Sequence, residues 1–180
     1  MKKFFTLRNV MLLCGALLLV AAFACSFAVK GVLEGNGSHV ELQGVLWGSK
    51  EAVNGGVVYP IEQKDRYIAT LPIIGYILAA LGAILAAVFG LALKDEKARK
   101  IAVLASAVLA LVGAVLSLIT MEPATRAYAK TAHQTYEKVK QFFNEYHIVE
   151  KPSILNIVMG VLGIVGSLSI AASQFVPEKK

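Results

Sequence analysis

The longest uncharged stretch of this chain of 180 residues reads YIATLPIIGYILAALGAILAAVFGLAL and covers residues 67–93. Its 27 residues include no Asp, Glu, Lys or Arg. A helix rises about 1.5 Å per residue, so about 20 residues cross the hydrocarbon core of a bilayer, which is roughly 30 Å thick. This stretch therefore predicts one helix that spans a membrane once.

Three more uncharged stretches have 21, 21 and 26 residues, at 9–29, 101–121 and 152–177. Overall, 57% of the residues are hydrophobic and 17% are charged, against about 25% charged in soluble domains. These values exclude a soluble globular domain, a disordered chain and a soluble coiled coil. We expect one membrane domain, residues 1–180, of the all-α class: a four-helix transmembrane bundle. Its spans are predicted at about 9–29, 70–93, 101–121 and 153–176.

The basic residues predict the orientation, because short cytoplasmic segments are enriched in Lys and Arg. Nine of the 18 basic residues lie in very short segments around the predicted spans: Lys2, Lys3, Arg8, Lys94, Lys97, Arg99, Lys100, Lys179 and Lys180. We therefore expect a multi-pass plasma-membrane protein with both termini cytoplasmic and with outer loops at 30–69 and 122–152. The Met1-Lys2-Lys3 start and the absence of cysteine from both outer loops favour a bacterial source.

The first span also resembles a secretory leader. Its basic start and apolar centre precede Ala22-Phe23-Ala24, which fits the small residues of a cleavage site. However, the residues before Cys25 fit a lipoprotein site poorly, and the apolar run continues to Val29. We therefore expect this segment to be retained as a span.

The first outer loop predicts a small antiparallel extracellular sheet of two or three strands. His39–Trp47 alternates apolar and polar residues, and Asn54-Gly55-Gly56 before Val57-Val58-Tyr59 is typical of a hairpin turn. Pro60 ends the second run or marks it as an edge strand. Such a sheet is only marginally stable alone, so it must pack on other elements.

Gly44, Leu46 and Trp47 lie in this loop, between the first two spans, with Val45 as an extra residue inside the motif. In these residues and in its topology the chain resembles the claudin-like superfamily of four-span proteins. The two loop cysteines of that family are absent between residues 48 and 66. The resemblance implies an organising, adhesive or accessory role. Trp47 has two interpretations: an aromatic anchor at the membrane surface, or the core of the small sheet.

The second outer loop predicts one amphipathic surface helix over about 124–147, ended by Pro152. Its apolar stripe, with mainly polar residues opposite, comprises Tyr128, Ala132, Thr135, Tyr136, Val139, Phe142, Phe143 and Tyr146. A helix of that length measures about 36 Å, whereas residues 148–153 reach at most about 21 Å. The helix must therefore recline across the outer surface or be broken, and we expect it to recline.

The predicted spans contain no ionisable residue of the kind that marks ion pathways or catalysis within membranes. His133 and Glu137 have the spacing of metal ligands on a helix, but two residues do not make a site. We therefore predict no enzyme activity, no metal site, no cofactor and no nucleic-acid partner. Small residues recur at close-packing intervals in the second, third and fourth spans. We expect them to pack inside the bundle, although Gly160, Gly163 and Gly166 could also face a neighbouring subunit.

These features predict a non-enzymatic accessory or organising subunit. Its partners would be the lipid bilayer and other membrane proteins or itself, bound through the outer loops. The candidate partner-binding residues are Trp47, Tyr128, Tyr136, Phe142 and Phe143. A lid over the outer end of the bundle is the plain structural alternative for the second-loop helix. An oligomeric channel or small-solute transporter, with Asn156 lining its pore, is the alternative function.

Overall fold

A computed structural model describes residues 6–119 and 122–177. Within them the helices are α1 (Leu7–Cys25), α2 (Thr70–Ala92), α3 (Glu96–Leu118), α4 (Pro123–Thr131), α5 (Tyr136–Glu145) and α6 (Ile154–Ser173). The strands are β1 (Lys30–Gly35), β2 (Ser38–Gln43), β3 (Glu51–Asn54), β4 (Val57–Pro60) and β5 (Val149–Lys151). The end of the predicted third span (120–121) and the predicted cytoplasmic residues Lys2, Lys3, Lys179 and Lys180 lie outside the described residues.

Four helices are long and apolar enough to cross a membrane: α1, α2, α3 and α6. This confirms the four long helices predicted from the uncharged stretches. Helix α3 begins earlier than predicted because the Asp95 carboxylate caps it, accepting hydrogen bonds from the N–H groups of Lys97 (2.8 Å) and Ala98 (3.2 Å). Three basic residues assigned to a loop therefore lie in the first turns of α3: Lys97, Arg99 and Lys100.

Contacts divide the chain into two compact units, a finer organisation than the single domain predicted from the sequence. The bundle unit comprises the described residues of Met1–Ala24, Ile74–Leu118 and Val158–Lys180. The sheet unit comprises the described residues of Cys25–Ile73 and Ile119–Ile157. All five strands and the short helices α4 and α5 belong to the sheet unit.

Glycines set the helix neighbours in the bundle unit. A Cβ atom built on Gly113 of α3 would lie 2.4 Å from the amide nitrogen of Ala79 in α2, so the two backbones are in contact. Gly15 places α1 equally close to the carbonyl of Gly166 in α6. Gly90 packs against Leu12, and Gly163 packs against Ala114. These contacts pair α2 with α3, α1 with α6, α1 with α2, and α3 with α6.

These contacts confirm that the small residues pack inside the bundle. Gly160, Gly163 and Gly166 all face helices of their own chain. Packing within the bundle therefore accounts for these small residues without a neighbouring subunit. One prediction for the spans is wrong. Because α1 begins at Leu7, it includes a charged residue, Arg8, which is buried and donates a hydrogen bond to the Gln174 side chain.

The sheet is larger than predicted. It has five antiparallel strands in the order β4-β3-β2-β1-β5, against the two or three expected. The β1–β2 hairpin turns at Asn36-Gly37 and the β3–β4 hairpin at Gly55-Gly56, and all four residues have positive φ, as tight hairpin turns require. The hairpin predicted around Asn54-Gly55-Gly56 is confirmed.

The amphipathic helix predicted over 124–147 is broken into α4 and α5, so the expectation of a single reclined helix is wrong. The length limit had required the helix either to recline or to break, and the second of these is observed. Two residues after the last residue of each helix, the chain takes a positive φ: +53° at His133 after α4 and +54° at His147 after α5. Two backbone hydrogen bonds close the chain at each helix end. After α4, the N–H of Gln134 donates to the Ala129 carbonyl (2.9 Å) and that of His133 to the Lys130 carbonyl (3.2 Å). After α5, the N–H of Ile148 donates to the Phe143 carbonyl (2.8 Å) and that of His147 to the Asn144 carbonyl (3.4 Å). These are Schellman motifs, in which glycine is the usual residue with positive φ.

Close packing of α2 and α3 predicts that a side chain on Gly113 destabilises the bundle. In Gly113→Val the new side chain meets backbone atoms that cannot move aside singly, so we expect a loss of about 1–3 kcal/mol in the free energy of unfolding. Thermal unfolding in mild detergent measures it. Ala105→Val places the same side chain at an exposed position of α3 and should change stability little. Equal melting temperatures of the two variants would contradict the packing.

The helix end at His147 predicts a stabilising substitution. An L-residue in the left-handed region costs about 1 kcal/mol, which glycine avoids, so His147→Gly should raise the unfolding temperature. Gln141→Gly, within α5 at an exposed position, is the matched control and should lower it, because glycine disfavours helix interiors. Two shifts of the same sign would show that the φ of His147 is not what determines the effect.

Candidate functional site

The predicted partner-binding residues fall on three different parts of the sheet unit. Trp47 lies on the turn after β2. On α4 and α5, Phe143 contacts both Tyr128 and Phe142. Tyr136 lies in a separate cluster of charged side chains. Four of the five belong to α4 and α5, which makes this helix pair the candidate functional site.

Trp47 is fixed in place by the segment that follows α1. Its indole stacks on the Phe27 ring with the centroids 4.4 Å apart, and its Nε1–H donates to the Ser26 hydroxyl at 2.9 Å. Gly44, with a φ of +63°, starts the turn, and Val45 and Leu46 are fully buried within it. Trp47 is therefore not a member of a strand. The Gly44-Val45-Leu46 element provides buried packing, and the half-buried indole lies beside a cavity of about 540 Å³ with Phe27.

The apolar stripe of α4 and α5 has an inner and an outer row. Val139 and Phe143 are buried and anchor α5. The outer row is the aromatic patch, which consists of three side chains that are 38%, 41% and 47% exposed: Tyr128, Phe142 and Tyr146. Phe143 lies under the patch, 5.2 Å from Tyr128 and 6.2 Å from Phe142 by ring centroids, and Phe142 and Tyr146 are 4.5 Å apart.

A groove of about 280 Å³ runs beside this patch, between α4 and α5. Tyr128, Ala132, Val139 and Phe142 give it apolar walls, and Lys138 is the cation among its lining residues. The groove exists because the helix is broken at residues 132–135: a continuous helix would have no second helix to form the opposite wall. Sequence reasoning identified the stripe but missed this groove.

Tyr136 belongs to a cluster that includes Glu122, Arg126 and Lys140. The phenol donates a hydrogen bond to the Glu122 carboxylate, and the Arg126 guanidinium lies 4.3 Å from the ring centroid. Lys140 reaches the same carboxylate at 3.3 Å. The hydrogen bond from Tyr136 lowers the pKa of Glu122, and the same bond raises the pKa of Tyr136. Tyr136 thus positions charged groups rather than joining the aromatic patch.

Glu150 of β5 holds the start of α4. Its carboxylate accepts hydrogen bonds from the backbone N–H groups of Ala124 (2.9 Å) and Thr125 (2.8 Å) and from the Thr125 hydroxyl (2.8 Å). Ala124 is fully buried, and a Cβ atom on Gly31 of β1 would approach it to 2.7 Å. Burial raises the pKa of Glu150, although these hydrogen bonds act in the opposite direction. Helix α4 is therefore attached to the sheet by a carboxylate at its N-terminus.

The other candidate residues have ordinary surroundings. His133 follows α4 and lies 3.9 Å from the Asp65 carboxylate, whereas Glu137 belongs to α5, so the two residues do not share one helix. Within residues 6–119 and 122–177, no group of three or more His, Cys, Asp or Glu side chains could hold a metal ion. Asn156, the predicted pore residue, is buried in the first turn of α6 and lines a cavity of about 150 Å³ with Glu150.

Comparisons with known proteins leave the family open. Neither protein-family models nor curated protein sequences give a match to this chain. The function of this chain must therefore be inferred from its own residues.

The attachment of α4 predicts a pH dependence of stability. Because the native pKa of Glu150 is raised above the ordinary value of 4.5, its contribution to stability is fully present below pH 4.5 and is lost as pH rises through the native pKa. Relative to Glu150→Gln, the wild type should therefore lose stability as pH rises from 4.5 through the native pKa of Glu150. Thermal unfolding across this range measures the difference.

Glu34→Gln provides a contrast of opposite sign. The hydrogen bond from Lys151 lowers the pKa of Glu34, so its contribution is present above pH 4.5 and is lost as pH falls through the native pKa. If the stability difference between the wild type and Glu150→Gln instead grew in favour of the wild type as pH rises, as expected for Glu34→Gln, the raised pKa of Glu150 would be contradicted.

Proposed function

We propose that this chain is a non-enzymatic, four-span membrane protein. Its sheet unit would bind another membrane protein, or a second copy of the chain, through the aromatic patch on α4 and α5. In this proposal α1, α2, α3 and α6 are the spans, both termini are cytoplasmic, and the sheet unit lies on the outer face of a bacterial plasma membrane. The claudin-like resemblance at Gly44, Leu46 and Trp47 supports an organising or accessory role.

The observation that carries this proposal is the aromatic patch itself. Tyr128, Phe142 and Tyr146 expose neighbouring rings on helices that are held in place from beneath by Phe143 and Val139. Aromatic side chains provide large contact areas at low entropic cost, and tyrosine is among the residues that dominate binding energy at interfaces. A patch on a preformed surface also loses little freedom on binding.

The construction of the sheet unit supports the same role. Strand β1 lies against α4, β5 pairs with β1, and the Glu150 carboxylate on β5 accepts hydrogen bonds from the start of α4. Such an assembly exceeds what is needed to connect four helices, since helix connections in bundles commonly take 2–8 residues. The surface that this assembly presents is therefore the part of the chain best suited to recognition.

Site-specific photo-crosslinking in native membranes tests the proposal. A photoreactive phenylalanine analogue at Phe142 or at Tyr146 should give one discrete adduct. The same analogue at Tyr59, which is 52% exposed on strand β4, is the matched control and should give none. Coexpression of two differently tagged copies identifies an adduct between copies of this chain.

The aromatic rings should also determine the strength of the complex. Replacing Phe142 and Tyr146 together by serine should weaken co-purification of the cross-linked partner at least about tenfold, which corresponds to about 1.4 kcal/mol. Tyr59→Ser should leave the complex intact. Absence of adducts at residues 142 and 146, or equal adducts at all three positions, would reject the proposed surface.

A further inference from the structure

A second cavity of the sheet unit, here called the boundary cavity, has a volume of about 280 Å³. Its walls include apolar, hydroxyl-bearing and cationic side chains: Tyr67, Ile68, Thr70, Leu71, Ile119 and Arg126. Thr70 is the first residue of α2, and Ile119 directly follows the last residue of α3. The cavity therefore lies where two of the candidate membrane spans begin and end.

The apolar part of this lining is exposed. Ile68, Leu71 and Ile119 are 56%, 40% and 40% exposed. Exposed aliphatic residues are unfavourable in water but not against lipid chains. If α2 and α3 cross the membrane as proposed, these residues lie at the depth where the hydrocarbon core meets the headgroups.

The cationic part of the lining is held by the cluster around Tyr136. Arg126 lies over the Tyr136 ring, and its charge acts on the nearby Glu122 carboxylate, which also binds Lys140. Arg126 and Lys140 are two cations, and Glu122 is one anion. The Tyr136 ring therefore holds the Arg126 guanidinium, a group well suited to phosphate oxygens, at the wall of the cavity.

We propose that the boundary cavity binds the phosphate group of an anionic membrane phospholipid. Arg126 pairs with the phosphate, since a guanidinium matches phosphate oxygens with two parallel donors. Tyr67 and Thr70 supply hydroxyl groups in the same lining, and the start of the acyl chains lies along Ile68, Leu71 and Ile119. The volume suits the headgroup region rather than a whole lipid. This inference rests on the membrane placement given under the proposed function.

Native mass spectrometry of the full chain, released from detergent micelles, measures the lipid directly. Phosphatidylglycerol should remain bound as a single molecule, and Arg126→Gln should reduce its affinity about tenfold, as expected for loss of a charge-assisted pair. The matched control is Lys130→Gln, which removes one positive charge from the same helix at an exposed residue that does not line this cavity. Equal losses in the two variants would overturn the site.

Further arms separate the sources of phosphate and protect against a folding defect. Phosphatidylcholine should bind more weakly, because its choline adds a cation to a positive cluster, and inorganic phosphate should not compete at millimolar concentration. Competition by inorganic phosphate would indicate a free-phosphate site and overturn the lipid assignment. Ile68→Asn, which leaves Arg126 unchanged, should also weaken binding of the lipid, and equal affinity for the variant would contradict the apolar part of the site.

This test is separate from that of the proposed function. Extraction of native membranes at alkaline pH reports whether the chain is integral to the membrane, and the cross-links at Phe142 and Tyr146 report the partner surface. An integral protein that retains its cross-links but binds phosphatidylglycerol no better than Arg126→Gln would overturn the lipid site alone.

Discussion

The direct contact of helix backbones in the bundle unit is the constraint on which the rest of the structure depends. Gly75 and Gly113 bring α2 and α3 together, and Gly15 and Gly166 do the same for α1 and α6. Backbone atoms at this distance leave no room for side chains between them. The long helices can therefore provide a scaffold, while the aromatic and charged groups with potential for recognition are concentrated in the sheet unit.

Within the sheet unit, the carboxylate of Glu150 connects elements that are distant in sequence. It places the start of α4 against β1 and is itself carried by β5, the edge strand next to β1. The unfavourable burial of this carboxylate is offset in part by three hydrogen bonds from the helix start. A partly buried carboxylate that meets these three donors in only one arrangement favours that arrangement over others. This explains how a short helix of nine residues can present Tyr128 and Arg126 at defined positions.

The two candidate sites share the helix pair but use different faces of it. Tyr128, Phe142 and Tyr146 form the aromatic patch, whereas Arg126, Tyr136 and Glu122 form the charged cluster beside the boundary cavity. Sequence periodicity grouped Tyr136 with the aromatic residues because a continuous helix places them in one stripe. The break at residues 132–135 makes Tyr136 the first residue of α5, capped by Thr135, and its ring lies beside Glu122 and Arg126 rather than in line with Tyr128. The sequence-based grouping of Tyr136 with the aromatic stripe was therefore wrong because α4 ends before Tyr136.

The sequence by itself determined the four long helices of this protein and the hairpin turn at Gly55-Gly56. The length of an apolar stretch depends only on residues that follow one another in the chain, and the turn at Gly55-Gly56 follows from residues that accept positive φ. Only the tertiary structure decided the five-stranded sheet, the break between α4 and α5, the burial of Arg8 and the attachment through Glu150. Each of these depends on partners distant in the chain or on a histidine in a conformation that local preference disfavours. Such features leave no mark in the periodicity or the composition of the sequence, so no local pattern predicts them.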